Sequence, residues 1–177
     1  MSAPPFSISD LARPSARPQR KNVVRILDAW YVACRTDELG DDAPLARMIL
    51  GVPLVLFRDR HGRAGALLDR CPHRNVPLSL GSVAGGELKC RYHGWRYDCD
   101  GHLKSIPGLP IVDDHARSDG AASEIDMPGR RCAAFRVVER DGYVWVWMQP
   151  AKEPDVEPFD LVQTRWPDFL TLRWTGD

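Results

Sequence analysis

Four residues in two short stretches have the types and spacing to bind metal. They are Cys71-Pro72-His73 and Cys90-Arg91-Tyr92-His93, a C-x-H followed after sixteen residues by a C-x2-H. Each stretch offers one thiolate and one imidazole. A single tetrahedral zinc ion accepts such donors, but zinc fingers usually take a Cys pair from one element and a His pair from another. A mixed pair on each stretch suits two metals better, because each stretch can then reach both. The matching centre is a two-iron, two-sulfide cluster in which two Cys hold one iron and two His hold the other. Replacing two thiolates by neutral imidazoles removes negative charge, so an electron is accepted more readily than by an all-cysteine cluster. The chemistry implied is one-electron transfer. The alternative is a structural zinc site on a β-domain that acts as an interaction module.

Short strands and turns must position these stretches. Val52-Pro53-Leu54-Val55-Leu56-Phe57 runs into the turn Asp59-Arg60-His61-Gly62, and Ala66-Leu67-Leu68 resumes after it, which is a hairpin pattern. Asp100-Gly101 and Asp141-Gly142 mark two more turns, the second leading into Tyr143-Val144-Trp145-Val146-Trp147. That last run is apolar on both faces and is expected to be a core strand rather than an aromatic platform. The only helix candidate is a short one near 37–45, limited by Pro44. An antiparallel all-β domain over 22–149 follows.

Composition removes several function classes. With 24 basic and 24 acidic residues the formal charge is zero, so no overall field draws the chain to nucleic acid or anionic lipid. No window approaches the ~18 consecutive apolar residues of a membrane span, and the first residues lack the apolar run of a secretory signal. A soluble, cytoplasmic protein is expected. Five cysteines at irregular spacing argue against a disulfide framework. Cys34, Cys99 and Cys132 are read as buried or incidental thiols.

The stretches C-P-H-R followed by P-L-S-L-G, then C-R-Y-H-G-W-R-Y-D, then Ile106-Pro107, resemble the N-terminal Rieske domain of Rieske non-haem-iron oxygenases. The likeness is greatest to the phthalate-oxygenase, vanillate-demethylase and pheophorbide-oxygenase branch, and Ala29-Trp30-Tyr31-Val32-Ala33 with Asp37-Glu38-Leu39 fits it too. The resemblance implies an antiparallel Rieske-type (ISP-like) β-sandwich whose two loops form a cluster-binding subdomain. It implies a [2Fe–2S] cluster with Cys71 and Cys90 on a buried iron, and His73 and His93 on an outer iron near the surface. Pro107 would belong to a loop shielding the cluster. Rieske proteins of cytochrome bc complexes carry a disulfide between the cluster loops and a Ser two residues after the second His. Val76, Tyr92 and Trp95 stand at those places here. An indole brings no hydroxyl, so a potential near the low end of the Rieske range, around −150 mV, is expected.

The resemblance also implies partners. A flavin or ferredoxin reductase would donate electrons, and a mononuclear-iron oxygenase domain or subunit would accept them, in an assembly that could be oligomeric. The family's second site uses D-x2-H-x4-H, but no histidine follows His115. Asp113-Asp114-His115 reads as a solvated loop. The chain thus resembles the electron-transfer half of an oxygenase, an oxidoreductase component with no independent oxygenase activity. The expected organisation is a disordered basic tail (1–21), the Rieske domain (22–149), an acidic Pro-rich linker (150–160), and the start of a missing second domain or a docked strand (161–177). Arg13, Arg17, Arg20 and Lys21 belong to the tail. Arg74 and Arg91 flank the ligands and could orient a redox partner.

Overall fold

The computed structural model describes residues 26–108 and 129–161. The tail expected over 1–21, the strand expected over 169–174, and Asp113, Asp114 and His115 lie outside them. In chain order the strands among the described residues are β1 (Trp30–Arg35), β2 (Leu45–Ile49), β3 (Val52–Arg58), β4 (Ala64–Leu68), β5 (Ser82–Ala84), β6 (Glu87–Lys89), β7 (Arg96–Tyr97), β8 (Leu103–Ser105), β9 (Ala134–Phe135), β10 (Val137–Arg140) and β11 (Tyr143–Trp147). Every pairing is antiparallel. The all-β reading of the sequence therefore holds. No helix among the described residues is long and apolar enough to cross a membrane.

The strands form three sheets, ordered β1-β11-β10, β2-β3-β4-β9 and β5-β6-β7-β8. The first two share the core. Leu54, Val55, Leu56 and Phe57 of β3 and Ala66 and Leu67 of β4 are fully buried, which is why these strands are apolar without alternation. β11 behaves the same way: Val144, Val146 and Trp147 are fully buried and Trp145 nearly so, as expected of a core strand. Each of the Leu, Val and Phe side chains among them contributes roughly 1.5–3 kcal/mol by leaving water. The third sheet is a ladder of short strands that carries one of the two ligand stretches at its β6–β7 turn.

The helix expected near 37–45 is a correction. The chain makes only a 3-10 turn, Thr36–Glu38, and Leu45 already opens β2. Gly40, Asp41, Asp42 and Pro44 interrupt any helical run. Leu45 to Ile49 alternates between covered and exposed positions, the period of a half-buried strand. Arg47 of β2 reaches back to the turn, with Nη2 donating to Glu38 Oε2 at 2.6 Å.

Residues 150–160, expected as a linker, lie along the β-domain, as does Leu161 after them. Trp147 Nε1 donates to the Lys152 carbonyl at 2.9 Å, Trp30 Nε1 to that of Val156 at 2.7 Å, and Arg140 Nη1 to that of Pro158 at 2.8 Å. The Leu161 amide donates to Asp141 at 3.0 Å, and Pro158 is buried. A proline-spaced segment cannot form a ladder of its own. Side chains of β1, β10 and β11 therefore satisfy its carbonyls.

Candidate functional site

The first ligand stretch leaves the end of β4 and the second turns between β6 and β7. Their backbones are built alike. The Cys71 amide donates to the Val76 carbonyl at 2.9 Å and the Asn75 amide to the Cys71 carbonyl at 2.8 Å. In the second stretch the Cys90 amide donates to the Trp95 carbonyl at 2.8 Å and the Gly94 amide to the Cys90 carbonyl at 3.0 Å. In both, the residue four after the cysteine is left-handed, with φ 57° at Asn75 and 72° at Gly94. Asn and Gly are the residues that adopt this conformation at least cost. A Cβ at Gly94 would also lie 2.8 Å from Cγ of Pro107, so Pro107 closes over the second loop.

Buried Asp69 anchors the first loop. Its carboxylate accepts from the Ser79 amide at 2.7 Å and the Ser79 hydroxyl at 2.6 Å, and its own amide donates to the Pro53 carbonyl at 2.9 Å. This clamp closes the loop between β4 and the short 3-10 turn Leu78–Leu80.

The loops bring the ligand candidates together in pairs, Cys71 with Cys90 and His73 with His93. The Cys71 and Cys90 thiols are 2% exposed, whereas His73 is half-buried and His93 exposed, so the sulfurs face inward and the imidazoles outward. The His73 and His93 rings are 4.5 Å apart. Burial, then the neighbouring Cys71 thiol, push the Cys90 thiol above its ordinary value. Burial, then His93, Arg74 and Arg130, hold His73 below its usual value, favouring the neutral ring that binds metal. Nδ1 of His73 is buried and has no hydrogen-bond partner. An unpartnered buried nitrogen is costly, and a metal ion satisfies it. Among the described residues no three His, Cys, Asp or Glu side chains converge as one ion would require. Two thiols side by side and two rings side by side fit a centre with two donors per metal.

Tyr97 and Arg130 carried no signal in the sequence reading, and the stacking of Trp95 on a ligand candidate was not foreseen there. The Tyr97 hydroxyl lies 3.6 Å from Cys71 Sγ in the interior. Trp95 stacks flat on His73, with ring centres 4.4 Å apart and planes at 4°. The Arg130 guanidinium lies over Trp95, 5.5 Å from its centre. Strand alternation could have flagged Tyr97, which shares a side with Trp95; Arg130 is too far along the chain to be read. Cys34, Cys99 and Cys132 are buried and free, as expected, and Cys132 contacts the Leu68 carbonyl.

Comparison with known proteins decides the nature of the centre. Residues 29–116 match the family described as the Rieske [2Fe-2S] domain. The chain belongs to the Rieske [2Fe–2S] domain family. Its cofactor is accordingly a Rieske-type [2Fe–2S] cluster. The chain is 37% identical over 142 residues to the vanillate O-demethylase oxygenase subunit of Pseudomonas sp. (strain HR199 / DSM 7063), covering 80% of this chain and 35% of that protein. It is 40% identical over 122 residues to the oxygenase component of dicamba O-demethylase from Stenotrophomonas maltophilia, covering 69% of this chain and 32% of the relative. Among solved structures, dicamba monooxygenase bound to dicamba superposes with a TM-score of 0.64 at 37% identity, over 82% of this chain and 40% of the other. The chain thus spans about a third of the length of these curated relatives, and the part it shares with them includes the Rieske domain.

Proposed function

We propose that Cys71 and Cys90 hold one iron and His73 and His93 the other, and that the domain relays single electrons within an oxygenase system. The donor is a flavin or ferredoxin reductase, and the acceptor is a mononuclear non-haem iron site in an oxygenase domain or subunit outside these 177 residues. The sequence offers no D-x2-H-x4-H stretch for that second iron. The relay unit is residues 22–149, with 150–160 connecting it to the oxygenase part.

The observation that carries the ligand assignment is the buried, unpartnered Nδ1 of His73 beside His93, on the same two loops as two buried thiols. The cluster, when bound, takes up and releases one electron at a time. The residues around it do the rest. Cys71 and Cys90 keep the sulfur side away from water, and Trp95 and Pro107 cover the loops. His93, exposed, offers the edge at which a partner can approach. That edge opens into a cleft of about 640 Å³ lined by Leu80, Lys89, Arg91, Tyr92, His93 and Pro107. Tyr92 and Leu80 are exposed there, apolar surface suited to a transient redox contact, with Arg74 and Arg91 as orienting charges.

Iron and acid-labile sulfide analysis of the purified chain tests this reading. Two irons and two sulfides per chain, lost in C71S and in C90S, are expected. One zinc and no sulfide would end it. The loaded chain should accept electrons yet turn over no substrate without another protein. Oxygenation by the chain alone would place a second iron site within it.

A further inference from the structure

Arg130 reaches the site from outside both ligand stretches and touches each of them. Its Nη1 approaches the Pro72 carbonyl at 3.5 Å, and Pro72 lies between Cys71 and His73. Its Cζ lies over the Trp95 ring, 5.5 Å from the centre, and Trp95 follows His93 by two residues. Trp95 in turn lies flat against His73. A guanidinium is charged at every accessible pH and favours the face of an indole, so this arrangement keeps a permanent cation beside the imidazole side of the centre.

Reduction adds one electron, and one negative charge, to the site. A cation close by favours the reduced form. The two ring separations put the guanidinium no more than about 10 Å from the centre of the His73 ring. At an effective dielectric of about 20, a unit charge at that range shifts a one-electron equilibrium about tenfold. An arginine needed only for solubility would extend into water, whereas Arg130 contacts both loops at once.

We propose that Arg130 is a positioning residue of the redox centre. It contacts both ligand loops, at Pro72 and Trp95, and from there its fixed charge raises the reduction potential. The inference rests on the ligand assignment above.

The test is a redox titration of the loaded chain, followed by visible absorption, in wild type, R130Q and R130K, with iron and sulfide measured in each. R130Q is expected to hold wild-type iron and sulfide with the reduction equilibrium about tenfold less favourable, a midpoint about 59 mV lower. R130K, which keeps the charge, should recover at least half of that shift. A loaded R130Q with the wild-type midpoint overturns the proposal, as does an R130K that falls as low as R130Q. Should R130Q fail to load, R130K decides. A midpoint in R130K lowered by no more than half of the shift expected for R130Q upholds the role of the charge, whereas a larger drop or loss of the cluster there overturns it. Failure of the ligand assignment is seen separately, as a wild-type chain without iron and sulfide.

Discussion

The phenol oxygen of Tyr97 lies 3.6 Å from the sulfur of Cys71, with both residues inside the protein. Burial first, then Cys71, push the phenol well above its ordinary value, so it stays protonated. Facing a thiolate, the hydroxyl hydrogen points to the sulfur. A donor to a ligand sulfur stabilises the charge added on reduction and raises the potential. Y97F is expected to keep its cluster and to show a midpoint lower by about 60 mV, the equivalent of one bond of ~1.4 kcal/mol. A redox titration checks this, and identical midpoints would show that the hydroxyl does not donate to the site.

That hydroxyl also marks the limit of the sequence reading. Cys71, His73, Cys90 and His93 were legible because metal donors at close spacing are set by local chain geometry. The apolar runs of β3 and β11 were legible because strands buried on both faces need no polar positions. Trp95, at the place where bc-type proteins have Ser, pointed to a centre without a hydroxyl donor. The fold supplies one two residues later, on the inward face of β7. Arg130 and the Asp69–Ser79 clamp act across loops and sheets, through contacts that no local pattern encodes. The helix over 37–45 failed for a related reason: acidic, helix-compatible residues sit beside Gly40 and Pro44, and the pairing of β2 with β3 settles the segment as strand.

Asp69 is the residue whose loss should loosen the first ligand loop. D69A removes the acceptor for both the Ser79 amide and the Ser79 hydroxyl, leaving polar groups partly buried without a partner. A cost of about 2 kcal/mol is expected, seen as a lower melting temperature together with a lower iron content. S79A, which keeps the backbone bond, should cost less than half as much. Equal loss in the two variants would show that the hydroxyl bond alone holds the loop.

At Gly94 the backbone is left-handed, φ 72°, and the Cβ position is 2.8 Å from Pro107. G94A therefore meets both a backbone penalty of roughly 1–2 kcal/mol and a clash with the covering proline. Lower stability is expected, with partial relief in the double variant G94A/P107A, because the second change removes the clash and leaves the backbone strain. A double-mutant cycle on thermal stability separates the two, and strict additivity would mean that Pro107 does not close on this loop.

The buried thiols outside the centre should make the fold sensitive to alkali. Burial is the main cause that pushes Cys34 up to about 11 and Cys99 up to about 12, from an ordinary 9.0. Both are only 5% exposed. In the unfolded chain these thiols ionise near pH 9, whereas in the folded chain they remain protonated until about pH 11 or 12. Between those values the unfolded state binds fewer protons than the native one, so stability is fully present below pH ~9 and falls as pH rises. Without screening each thiol would contribute a slope of about 1.36 kcal/mol per pH unit. Water near these shallow sites reduces that, and roughly 2 kcal/mol for the pair by pH 10.5 is a reasonable expectation. Urea titrations at pH 8, 9, 10 and 10.5 should show the decline in the wild type and a shallower one in C34A/C99A, whose remaining slope reports the other titrating groups. Parallel curves for the two proteins would mean that these thiols ionise as easily in the folded chain as in the unfolded one.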